Sequence, residues 1–123
     1  MENSLKRKTK EFNPGNCPVV HCMNFLGGKW KPSIIYHIRN DVNRYSSILK
    51  NMPEISKQSL TNQLRELEMD GVLKRIIYPE IPPRVEYSIT EFGQTLLPII
   101  DVMSLWGRTN MPVNKKVPCV EEE

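Results

Sequence analysis

Two six-residue runs, LKRIIY at 73–78 and RVEYSI at 84–89, flank the segment PEIPP. Each alternates in the period of a strand and is rich in β-branched and aromatic residues. Pro79, Pro82 and Pro83 cannot donate to a strand ladder, so the ladder stops there and the chain turns. The pattern predicts a short hairpin with a stiff tip and Arg84 at its end. A stiff tip loses little entropy on docking, so it can set one arginine beside phosphates or in a minor groove. The same residues also suit an ordinary turn carrying a solvated arginine.

The segment before the hairpin decides between these readings. ISKQSLTNQLRELEMDGVL reads as a helix with Ser56 as N-cap and Gly71 just past its end. Stepping about 100° per residue aligns Leu60, Leu64 and Leu67 as the core stripe. Gln58, Asn62, Arg65 and Met69 then fall on the other side, with Thr61 at its shoulder. Arg pairs with guanine, and Asn or Gln with adenine, at base edges in a major groove. The first turn, Ser56, Lys57 and Gln58, offers backbone N–H groups to a phosphate. A polar solvent-facing side is the bland alternative for any amphipathic helix. The hairpin that follows favours groove recognition, and makes the hairpin a wing.

Upstream, CPVVHCMNFL reads as a helix with Pro18 in its first turn, ended by Gly27 and Gly28. Pro32 opens a second helix, PSIIYHIRN, with Ile34, Ile35 and Ile38 facing inward, and Asn40 and Asp41 turn the chain. RYSSILKNM is a third helix, with Ile48 and Leu49 inward and Pro53 closing it. Downstream, Thr90 caps one long helix through TEFGQTLLPIIDVMSLWGR, which Pro98 should kink. The fold class expected is α+β, mostly α: a winged helix-turn-helix over 14–110, its N- and C-terminal helices forming a dimer interface. Residues 1–13 are expected to be a disordered basic arm, and 111–123 a flexible tail.

The 123 residues bound this to one domain with a small core. Seventeen Lys and Arg face fourteen acids, and three of those acids are Glu121, Glu122 and Glu123. Upstream of that tail the balance is clearly basic, which permits a polyanionic partner such as double-stranded DNA. No run reaches the roughly 18 apolar residues of a membrane span, and MENSLKRKTKEF has no apolar export core, so no membrane partner and a cytoplasmic location are expected. Three cysteines argue against a disulfide framework in such a chain.

The last helix is apolar on more sides than one small core can use. Leu96, Leu97, Ile99, Ile100, Val102, Met103, Leu105 and Trp106 cover most of its circumference. A second copy related by a two-fold axis is the simplest cover, with Ile99, Ile100, Met103 and Trp106 expected at the interface. A central core helix is the alternative. Two subunits would set their recognition helices about one DNA turn, roughly 34 Å, apart.

CPVVHCMNFLGGKWKPSII, ISKQSLTNQLRELEMDGVLKR and YPEIPPRVEYSITEFGQTLLPII, in that order, resemble three motifs of the HxlR-type winged helix-turn-helix regulators, relatives of the MarR-like regulators. The resemblance runs from about Cys17 to Gly107. It implies a dimeric regulator of transcription that binds inverted repeats, repressor or activator. It makes Gln58, Thr61, Asn62 and Arg65 base or backbone contacts and Arg84 the wing residue, beside Ser56 and Lys57 at the helix start. Phe25 and Leu26 stand where an Ile often precedes the two glycines, and Cys22 and Cys119 are additional.

Cys17 is the candidate sensor. With Pro18 at the first helical position it sits near an N-cap, where the helix dipole favours a thiolate open to oxidants or electrophiles. Some members of the resembled family sense such compounds through the equivalent cysteine. An inert, packed thiol is the alternative. Cys17, His21 and Cys22 share a helical face, but zinc wants three or four ligands and His37 and Cys119 have no telling spacing, so no metal or other cofactor is expected. No nucleophile elbow, phosphate-binding glycine loop or paired-carboxylate motif is present, so no enzymatic role is expected. Against the DNA-binding regulator stand a winged-helix protein-interaction module without sequence-specific DNA binding, and a small-molecule binder or minor enzyme using a cysteine.

Overall fold

The computed structural model describes residues 11–112. Six helices and a hairpin follow in chain order: α1 Pro18–Leu26, α2 Lys31–Arg39, α3 Tyr45–Asn51, α4 Lys57–Met69, β1 Leu73–Tyr78, β2 Arg84–Ile89, α5 Glu91–Gln94 and α6 Leu97–Asn110. This is the mostly helical winged helix-turn-helix expected, with one small antiparallel sheet.

The apolar spacing explains the core. Ile34, Ile35 and Ile38 of α2, Ile48 of α3, and Leu60, Leu64 and Leu67 of α4 are all buried, joined by Val72 from the turn after α4 and by Leu73 and Tyr87 of the hairpin. Each such aliphatic side chain contributes roughly 1.5–3 kcal/mol by leaving water. Leu49, expected inward, is only half-buried and packs at the rim. His37 is buried, its Nδ1 2.7 Å from the Ser33 carbonyl oxygen, as a packed residue of α2.

The hairpin pairs Leu73 with Ile89 and Tyr78 with Arg84 at its two ends. A third, very short edge joins it that the sequence does not announce. Tyr87 N–H donates to the Asn43 carbonyl at 2.9 Å, and Arg44 bridges to Glu86, so the entry to α3 borders β2. Thr90 then ties the hairpin to the end of α4. Its Oγ1 donates to the Gly71 carbonyl at 2.5 Å and accepts from Gly93 N–H at 2.9 Å. Gly71 turns the chain out of α4 with φ at +80°, a conformation that favours glycine. Gly93 passes so close to β1 that a Cβ would collide with the Val72 carbonyl.

Three expectations change. The segment after Thr90 is two helices, not one kinked helix. α5 ends at Gln94, and Pro98 lies in the first turn of α6, where a missing N–H costs nothing. Ile100, expected at a dimer interface, is 2% exposed and fills the protomer's own core. The expected N-terminal arm is tied down at its end: Asn24 Nδ2 donates to the Phe12 carbonyl at 2.8 Å, and Cys17 N–H donates to Asn13 Oδ1 at 2.7 Å. Residues 1–10, the tail from 113 and Cys119 lie outside the described residues. No helix among the described residues is long and apolar enough to cross a membrane.

Candidate nucleic-acid interface

α4 turns its leucines inward and its polar side out. Leu60, Leu64 and Leu67 are buried, while Lys57, Gln58, Asn62 and Arg65 are exposed and Thr61 is partly so. Residues 58, 62 and 65 stand one helical turn apart along one strip, the spacing that brings side chains onto one side. Ser56 caps the helix, its side chain accepting from Ser59 N–H at 3.0 Å, and the first turn carries no acid. The cap and the helix dipole leave this end attractive to an anion.

Neighbouring elements fix how α4 is presented. Lys31 of α2, itself buried, reaches Glu66 Oε1 at 2.6 Å behind the exposed strip. From α3, the Tyr45 hydroxyl stands 3.2 Å from the Lys57 carbonyl oxygen and 2.9 Å from Thr61 Oγ1. Arg75 of β1 lies 3.8 Å from Glu68. Neither Tyr45 nor Lys31 is marked by sequence spacing, because their partners are 16 and 35 residues away. Only the fold brings them together.

Arg84 does not stand alone at the wing tip. It opens β2 opposite Tyr78, and its guanidinium lies 4.0 Å over the Tyr78 ring. Arg84 Nη2 is 3.2 Å from Glu80, and Nε is 3.3 Å from Glu86 as an ion pair without hydrogen-bond geometry. Arg44 approaches the same Glu86 at 3.7 Å. Cross-strand pairs share a face, so Arg84, Tyr78 and Glu86 lie opposite the face of Arg75 and Tyr87. The tip itself is Pro79 to Pro83, with Ile81 fully exposed.

At the other end, Cys17 is the N-cap of α1 with Pro18 in the first turn, as expected, and is partly exposed. Its backbone is clasped by Asn13, whose Oδ1 and Nδ2 bond its N–H and C=O. Among the described residues no group of three or more His, Cys, Asp or Glu is placed to hold a metal ion. α6 leaves Ile99, Val102, Met103, Leu105 and Trp106 exposed on one protomer. Two polar ties hold α6 to α2: Arg39 to Asp101, and Arg108 Nη2 to the Tyr36 hydroxyl at 2.7 Å.

A capped, polar-faced α4 followed by a braced hairpin defines a winged helix-turn-helix protein. Residues 25–115 match the family described as HxlR-like helix-turn-helix, and the chain belongs to that family. It is 45% identical over 101 residues to YybR of Bacillus subtilis, an uncharacterized HTH-type transcriptional regulator, covering 82% of this chain and 81% of that one. Its fold matches the redox regulator HypR in its oxidised form with a TM-score of 0.73 at 46% identity, over 79% of this chain and all of that one. The reduced form of the regulator YodB from B. subtilis matches with a TM-score of 0.60 at 31% identity, over 77% of this chain and 94% of that one. The chain is thus a helix-turn-helix transcriptional regulator.

Proposed function

We propose that the chain works in the cytoplasm as a homodimer, reading an inverted-repeat operator in double-stranded DNA without catalysing a reaction. The exposed strip of Gln58, Asn62 and Arg65, backed by three buried leucines, carries this reading. Those side chains and Thr61 meet base edges, while Ser56 and Lys57 meet the backbone at the helix start. Arg84, held by Tyr78, Glu80 and Glu86, supports DNA contact by stiffening the wing. The second copy covers the exposed side of α6 through Ile99, Met103 and Trp106, with Val102 and Leu105 beside them.

Selecting bound fragments from genomic DNA at rising salt tests this. A two-fold-symmetric site with steeply salt-dependent affinity is expected, because each neutralised phosphate releases counterions. Binding that finds no common site and ignores salt would instead mark a protein-interaction module.

The N-cap position of Cys17, and the likeness to HypR and YodB, support a redox or electrophile effector acting at this thiol. Oxidant should change operator occupancy in the wild type and leave Cys17→Ser unresponsive. An unaltered response in that variant removes Cys17 from the scheme.

A further inference from the structure

Among the residues around α4, Tyr45 has no place in the contacts assigned so far, yet its hydroxyl meets two atoms of the recognition helix. It stands 3.2 Å from the Lys57 carbonyl oxygen and 2.9 Å from Thr61 Oγ1. A carbonyl oxygen only accepts, and a tyrosine has one proton, so both contacts cannot be donated by Tyr45. Both are satisfied together when Tyr45 O–H donates to the Lys57 carbonyl and Thr61 O–H donates to the Tyr45 oxygen.

A threonine inside a helix ordinarily turns its O–H back onto the carbonyl four residues earlier. For Thr61 that carbonyl belongs to Lys57. One of its lone pairs lies in the path of the helical N–H four residues on, and Tyr45 takes the other. The Thr61 proton is thereby drawn toward α3. What Thr61, partly exposed, has left to offer outward is the lone pairs of its oxygen.

We propose that Tyr45 is a positioning residue that fixes Thr61 as a hydrogen-bond acceptor toward the groove, selecting a base with an exocyclic amine, adenine or cytosine, at one position of each half-site. The proposal rests on the DNA-reading role of α4 given above. Without the Tyr45 hydroxyl, only the weak turn back onto the Lys57 carbonyl competes for the Thr61 proton, so that it can also turn outward and donate to guanine O6 or thymine O4, and the preference for an amine relaxes.

The test is selection of bound sequences from randomised duplex DNA by the full chain, as wild type and as Tyr45→Phe, Thr61→Val, Thr61→Ser and Tyr45→Phe/Thr61→Val. Tyr45→Phe keeps the ring. It should lower the preference for an amine-bearing base about five-fold at a single position per half-site, the worth of one hydrogen bond, and leave the other positions alone. Thr61→Val should relax the same position, and adding Tyr45→Phe to it should change nothing more. Thr61→Ser should keep both the preference and its sensitivity to Tyr45→Phe.

The proposal is overturned if Tyr45→Phe selects the wild-type sequence, if it weakens all positions evenly, or if its effect adds in full to that of Thr61→Val. A wild type that selects no two-fold site overturns the DNA-reading role itself, and this proposal with it.

Discussion

Tyr87 shows how one buried polar side chain ties stability to pH. Burial pushes its phenol pKa above the ordinary 10.0; nearby Arg75 opposes this and Glu68 adds to it. Below about pH 10 folded and unfolded chains both hold the proton, so stability there is unaffected by this group. Above it the unfolded chain releases the proton first, and stability falls as pH rises through the raised folded value. Urea unfolding at about pH 8 and about pH 10.5 should therefore show a loss for the wild type that is smaller in Tyr87→Phe. An equal loss in both would place the alkaline sensitivity elsewhere. At this same scale the sequence was most informative where a side chain acts alone: Ser56 as a cap, Leu60, Leu64 and Leu67 as buried anchors, Asn62 and Arg65 as exposed polar groups. It was silent on Tyr45 and Lys31, whose roles exist only once α2 and α3 pack on α4.

Among the elements, the strands were readable to the residue, because alternation and the proline stop fix both ends. The pairing of Asn43 and Arg44 with β2 was not, since two residues cannot show a period. The break between α5 and α6 was hidden for another reason. No Gly or Pro separates Gln94 from Leu97, and a proline in a first helical turn looks in sequence like a proline within a helix. The restraint on Arg84 was hidden because it is cross-strand: the register sets it over Tyr78, with Glu80 and Glu86 as charge partners. Arg84→Ala should loosen the wing and weaken binding to operator and random DNA alike, by about five-fold, leaving their ratio unchanged. Gel-shift titrations with both DNAs check this. A fall confined to the operator would make Arg84 a base reader.

For the whole molecule, the exposed apolar side of α6 and the polar strip of α4 are the surfaces to which the proposed function assigns a second copy and DNA. Trp106 is 67% and Leu105 66% exposed on one protomer, far more than scattered surface residues require. Replacing Trp106 by Glu should shift sedimentation from dimer to monomer and, by halving the contacts, abolish operator binding while the fold, held by Ile100 and its neighbours, persists. A variant that stays dimeric would move the interface off α6. The reading strip is probed most directly by competition binding, operator against random DNA, for wild type, Asn62→Ala and Arg65→Ala. Each substitution should cut the discrimination by about 1–3 kcal/mol and leave the weak, salt-sensitive binding to random DNA in place. Wild-type discrimination in both variants would contradict the assignment of α4 as the element that reads DNA.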